Sequence, residues 1–122
     1  MISVVALSIG PSDVSLSVVA LSATRDTWTP PAAWLDETMR RESSGNRWAV
    51  GDAGASRGPM QIQKAIWEHY GGRLPWSKYA HDPVEARRVA ALILRDCARA
   101  CRRHGQAVTF ANCRWYYRHG SY

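Results

Sequence analysis

Two carboxylates carry most of the chemical promise of this 122-residue chain. Glu42 lies three residues after Met39 and seven after Leu35, so on a helix its carboxyl falls beside the apolar stripe Trp34, Leu35 and Met39, near that helix's end. A carboxyl held against apolar side chains loses hydration of its charged form and keeps a proton more readily, as a general acid must. Asp52 follows in the glycine-rich stretch Gly51-Asp52-Ala53-Gly54 and could face Glu42 across a cleft. Cleavage of a glycosidic bond uses two carboxyls in this way, one protonated and one ionised, flanking an oxocarbenium-like transition state. The plainer alternatives are a helix-end glutamate turned to water or paired with Arg40 or Arg41, and a turn aspartate bonded to its own backbone.

The elements that must position these groups read as mostly helical. A first helix is expected from Thr29-Pro30-Pro31, with Thr29 as cap, to about Ser43. Residues 44–59, rich in Gly, Ser, Asn and Asp, read as turns or a short hairpin, forming the loop side of a cleft. A second helix is expected from about Met60 to Tyr70, with Ile62, Ile66, Trp67 and Tyr70 at helical spacing and Gly71-Gly72 as its stop. Asp82-Pro83-Val84-Glu85 offers a cap, a first-turn proline and an acidic third position for a long helix to about His104, with core stripe Val89, Leu92, Ile93 and Cys97. A short helix around Thr109 to Tyr117 closes the chain, and no segment shows sustained strand alternation.

With 46% apolar and 21% charged residues the chain is not a disordered one, and its length fits one domain. Residues 1–27 read as a leader or loosely attached arm ahead of a domain over 28–122. They contain Ser-Val-Val-Ala-Leu-Ser twice, but no Lys or Arg precedes Arg25, and Gly10, Pro11 and Asp13 break the apolar run. That makes a poor export signal and too broken a segment for stable membrane insertion. The net charge of +6 lies in the last third, where eight arginines face Glu85 and Asp96. Such a face suits an anionic partner, whether cell wall, nucleic acid or membrane surface. The arginines of residues 83–104 spread over more than one helix face, which favours a solvated surface over a nucleic-acid interface.

Six Trp and five Tyr against a single Phe favour rings with polar handles, which stack on sugars and hydrogen-bond their hydroxyls. Trp48, Trp67, Tyr70, Trp115 and Tyr117 are the candidates, although each also suits the core. His69, His81, His104 and His119 show no metal-ligand spacing, and no phosphate-binding loop follows a strand, so neither metal nor cofactor is expected. Cys97 and Cys101 sit one helical turn apart, where a bond between them would be strained. In an oxidising compartment Cys113 would pair with one of the two; the alternative is three buried thiols in a reduced protein.

The stretch Arg41-Glu42-Ser43-Ser44-Gly45-Asn46, with Asp52-Ala53-Gly54-Ala55-Ser56-Arg57-Gly58-Pro59-Met60-Gln61-Ile62 after it, resembles the lysozyme superfamily. Its Glu-Ser start and Gly-x-Met-Gln-Ile segment are similar to soluble lytic transglycosylases, and Asp-x-Gly leading to Gly-Pro-x-Gln-Ile is similar to invertebrate-type lysozymes. The resemblance implies a small lysozyme-like domain, Glu42 as catalytic acid, Asp52 as second carboxylate, and a sugar-binding cleft near Ser56 and Gln61. Ser43 and Met60 from the same block, with Trp67 and Tyr117, complete the expected substrate-binding set. The expected substrate is the peptidoglycan glycan strand, cut between N-acetylmuramic acid and N-acetylglucosamine by a secreted or cell-envelope monomer. Two departures stand out: Tyr117-Arg118-His119-Gly120 has arginine where the transglycosylase motif has asparagine, and the cysteine framework of invertebrate-type lysozymes is missing.

Overall fold

The computed structural model of the chain describes residues 27–120 and 122, so the reading of residues 1–27 as a leader or arm lies, but for Thr27, outside the described residues. The described residues are mostly helical. They form α1 (Ala32–Ser43), α2 (Lys64–Tyr70), α3 (Trp76–Tyr79), α4 (Pro83–Arg103) and α5 (Phe110–His119), with three two-residue strands, β1 (Val50–Gly51), β2 (Ser56–Arg57) and β3 (Ile62–Gln63).

The helix α4 forms as its sequence dictates. The Asp82 carboxylate accepts hydrogen bonds from the Val84 and Glu85 amides at 2.9 and 3.3 Å, satisfying two donors that the first turn leaves unpaired, and Pro83 occupies the position where a missing N–H does no harm. Replacing Asp82 by Ala is expected to cost about 1 kcal/mol. Thermal unfolding followed by circular dichroism checks this: the midpoint should fall by roughly 4–8 °C, and an unchanged midpoint would mean the cap contributes nothing. Ala86, Val89, Ala90, Ile93, Leu94, Cys97, Ala98, Ala100 and Cys101 are buried, because α1, α2 and α5 all pack on this one helix. Covered from several sides, α4 buries Leu94 fully and Leu92 only partly, the reverse of a single core stripe.

Elsewhere the local signals moved. Thr29 does not cap α1: Pro31 holds the N-cap position without a side-chain bond, and the helix begins at Ala32. Its fully buried residue beside Leu35 is Thr38, whose hydroxyl is satisfied by the Trp34 carbonyl at 2.7 Å, while Met39 is only partly covered. The second helix starts at Lys64 rather than Met60, because Gln61 has a positive φ of 51° and Ile62 enters β3. Residues 44–59, expected as turns or a short hairpin, hold β1 and β2 paired as a hairpin, and β3 joins them from the segment expected to open the second helix, giving an antiparallel sheet in the order β1-β2-β3 with Val50 opposite Arg57 and Ser56 opposite Gln63. A helical turn, α3, follows Pro75 in the segment between the Gly71-Gly72 stop and the Asp82 cap.

Gly58 locks this sheet to the helical layer. Its amide donates to the Ala49 carbonyl at 2.9 Å, and its backbone, at φ +83°, passes so close to Ala80 that an added Cβ would stand 1.6 Å from the Ala80 oxygen. At the far end of α1 the Ser43 hydroxyl donates to the Pro59 carbonyl at 2.8 Å, fastening the carboxyl end of the helix to the same turn.

Candidate functional site

The end of α1, the sheet and the last turn of α5 enclose a cavity of about 160 Å3. Glu42, Asp52, Ser56, Gln61 and Tyr117 line it, joined by Gln63, Ile66, Ile93, Arg118, His119 and Tyr122. Both expected carboxylates therefore face one space, one delivered by a helix terminus and the other by a turn in the sheet.

Asp52 sits at the exposed lip of that space. Asp52 and Ala53 are consecutive residues at positive φ, 51° and 57°. Such a conformation costs an L-residue of order 1 kcal/mol, is tolerated by aspartate and is poorly tolerated by alanine. The buried Ser56 hydroxyl donates to the Asp52 carboxylate at 2.5 Å and fixes its direction. Backbone strain at a cavity lip, held by a buried hydrogen bond, is an arrangement found where a side chain must be aimed.

Glu42 is held differently from the apolar setting its position on α1 suggests. Arg40 and Arg41 both pair with Glu37, and the partner of Glu42 is Arg114 of α5, whose Nη1 donates to Glu42 Oε2. Only 12% of the Glu42 side chain and 8% of that of Arg114 is exposed, so the pair is a buried one. Breaking a buried pair leaves an uncompensated charge. Arg114→Met is expected to lower stability by about 3–5 kcal/mol, and adding Glu42→Gln to that variant to recover most of the loss, because the remaining buried group is then neutral. Urea unfolding of the two variants measures this, and equal stability for single and double variants would show that the pair is not energetically coupled.

Tyr117 lies one turn beyond Arg114 on α5, with the Arg114 guanidinium 5.8 Å from its ring centre. Burial, and after it the charge of Glu42, push the Tyr117 phenol well above its ordinary range. Held protonated, its hydroxyl donates to the Met60 carbonyl at 2.9 Å. Gln61 spends its amide on the sheet, donating to the Gly58 carbonyl at 2.9 Å and to that of Ala49 at 3.2 Å.

Three expected substrate residues are not part of the cavity. Met60 and Trp67 are completely buried; the indole of Trp67 donates to the Leu74 carbonyl at 2.6 Å, so this ring is core and unavailable to a sugar. Ser43 spends its hydroxyl on Pro59, which makes it a fastener of the turn. Tyr70 donates to Asp96 and supports α4. Trp48 and Trp115 are the exposed aromatics, 66% and 53% accessible, the first tilted against His81 at 5.3 Å and the second stacked on His119 at 4.1 Å.

Arg114 was the residue the sequence did not announce. Its one signal was its place three residues before Tyr117, on the same helix face. Among the described residues no group of three or more His, Cys, Asp or Glu side chains is placed to hold a metal ion.

The fold and site thus define a mostly helical domain with a small antiparallel sheet and a cavity bearing two carboxylates of contrasting surroundings. No family model, curated protein or solved structure matches the chain.

Proposed function

We propose that this chain is a peptidoglycan-cleaving glycosidase on a lysozyme-like domain, cutting the β-1,4 bond between N-acetylmuramic acid and N-acetylglucosamine, with Glu42 as the general acid. The observation that carries the reading is the meeting of Glu42 and Asp52 in one cavity. Glu42 is covered and Asp52 is at the open lip, so the two carboxyls have the unlike surroundings that the two roles of the reaction call for. Arg114 holds one oxygen of Glu42, and among the described residues Oε1 has no hydrogen-bond partner, which leaves it free to meet a glycosidic oxygen. In that role Arg114 is a positioning residue, fixing the carboxyl's rotamer while the proton passes through Oε1.

Asp52 would activate water for hydrolysis or stabilise the oxocarbenium charge. If the sugar's own hydroxyl attacks instead, Glu42 alone supplies the proton transfers and the product is an anhydro sugar. The site requires no metal or cofactor for either route. The natural partners are glycan strands of the cell wall, which places the protein's work outside the cytoplasm, as a secreted or cell-envelope enzyme acting as a monomer. Among the described residues no helix is long and apolar enough to cross a membrane. The net charge of +6 favours a wall with its peptide carboxylates over a neutral glycan.

The same ion pair favours a second reading, a wall-binding domain whose cleft persists without chemistry, since a carboxylate satisfied by an arginine need not act as an acid. Incubation with purified peptidoglycan, followed by mass spectrometry of the soluble fragments, separates the readings. Reducing ends mean hydrolysis and anhydro ends mean transglycosylation. Retention on the wall with no fragments released means binding only, and neither retention nor release removes the wall as the substrate.

A further inference from the structure

We propose that Cys101 and Cys113 are a disulfide-forming pair, closed when the chain folds in the presence of a small-molecule or protein disulfide, and that Cys97 remains a free thiol. The two sulfur atoms, one on α4 and one on α5, stand 3.9 Å apart in direct contact and are fully buried. A bond needs about 2.05 Å, so the sulfurs have only some 2 Å to close. Cys97, although also buried, lies one turn before Cys101 on the same helix, where a cross-link is strained. Contact with Cys113 therefore singles out Cys101 from the two candidates on α4.

The surroundings also say when the bond forms. Burial first, and the neighbouring Cys101 after it, push the Cys113 thiol up to about 12, and burial raises Cys97 as well. Covered, protonated thiols are poor nucleophiles, so exchange belongs to the stage at which α5 is docking and the sulfurs are still accessible. One thiolate attacks the external disulfide, releasing its first thiol and leaving a mixed disulfide. The second cysteine then displaces the other half, forming the Cys101–Cys113 bond and releasing a second thiol. The two electrons and the two thiol hydrogens end on the released pair, so the exchange balances without another reactant. Cys113 adjoins Arg114, so the cross-link would tie the helix that carries Arg114 and Tyr117 to the central helix.

Trypsin makes the assignment clean, because the arginines of α4 place Cys97 in residues 96–99, Cys101 in residues 100–102 and Cys113 in residues 104–114. The whole chain is unfolded in urea, refolded in oxidised and reduced glutathione, checked by far-UV circular dichroism for return of the helices, alkylated, and digested without reduction. The expected product is a cross-link between 100–102 and 104–114 with Cys97 alkylated. The oxidised protein should melt on the order of 10 °C above the reduced one. Cys97→Ala should keep that difference, whereas Cys101→Ala and Cys113→Ala should lose it. A cross-link through residues 96–99, or helices restored in the oxidised buffer with all three thiols alkylated, overturns the assignment.

Discussion

Glu42→Gln is expected to cut release of soluble fragments from peptidoglycan by roughly a hundred- to ten-thousand-fold, in a protein that keeps its fold but melts lower, because the buried Arg114 charge loses its counter-ion. Gln keeps the length of the side chain and an amide oxygen that can accept from Arg114 Nη1, so the contact across α1 and α5 survives with its ionic part removed. What it lacks is a transferable proton at the position of Oε1. The measurement is fragment release per unit time, with a melting curve beside it. A folded variant that releases fragments at the natural rate would remove Glu42 from the chemistry. A variant that fails to melt cooperatively would say that the ion pair with Arg114 serves the fold first. Arg114→Met then becomes informative, because loss of activity in a protein that still folds would mark Arg114 as necessary for aiming the acid.

Gly58→Ala should prevent stable folding, with a loss on the order of 4 kcal/mol or more. Two effects add. Alanine at φ +83° is strained by about 1–2 kcal/mol, and its methyl would lie 1.6 Å from the backbone oxygen of Ala80, which cannot swing away as a side-chain end could. The sheet must lift from α3, and Ala80, now completely buried, must follow. Gly72→Ala separates the two effects, since Gly72 has φ +69° with no atom within 4 Å of the added carbon. It should cost only the conformational part. Denaturant midpoints of the two variants provide the comparison, and equal losses would mean that the close approach to Ala80 does not constrain the fold.

The long helix was legible because each of its signals is local: Asp82 caps the amides two and three residues on, and Pro83 sits where its missing N–H is harmless. The joining of Glu42 and Asp52 in one cavity agrees with their positions at a helix end and in the following glycine-rich turn. The glycine-rich loop suggests a short hairpin, but β3 is not legible because a two-residue strand cannot display alternation, nor is α3, whose four residues carry no period. In sequence Trp67 suits both the core and a sugar contact, and its complete burial with its bond to Leu74 resolves it as core. Arg114 was hidden for another reason. Its partner lies 72 residues away, and nothing near position 114 in sequence states that α5 will set it against α1.

That separation bears on when the site comes into being. Glu42 acquires its orientation only after the two ends of the domain have met, and so long a loop closure follows the local helices in any order of assembly that loop entropy favours. A chain with α4 formed but α5 undocked has a helix, a sheet and the Glu42 carboxylate, yet nothing from α5 to hold that carboxylate in place. On the proposed reading, activity therefore appears only once α5 has docked, and a partly folded chain is inert.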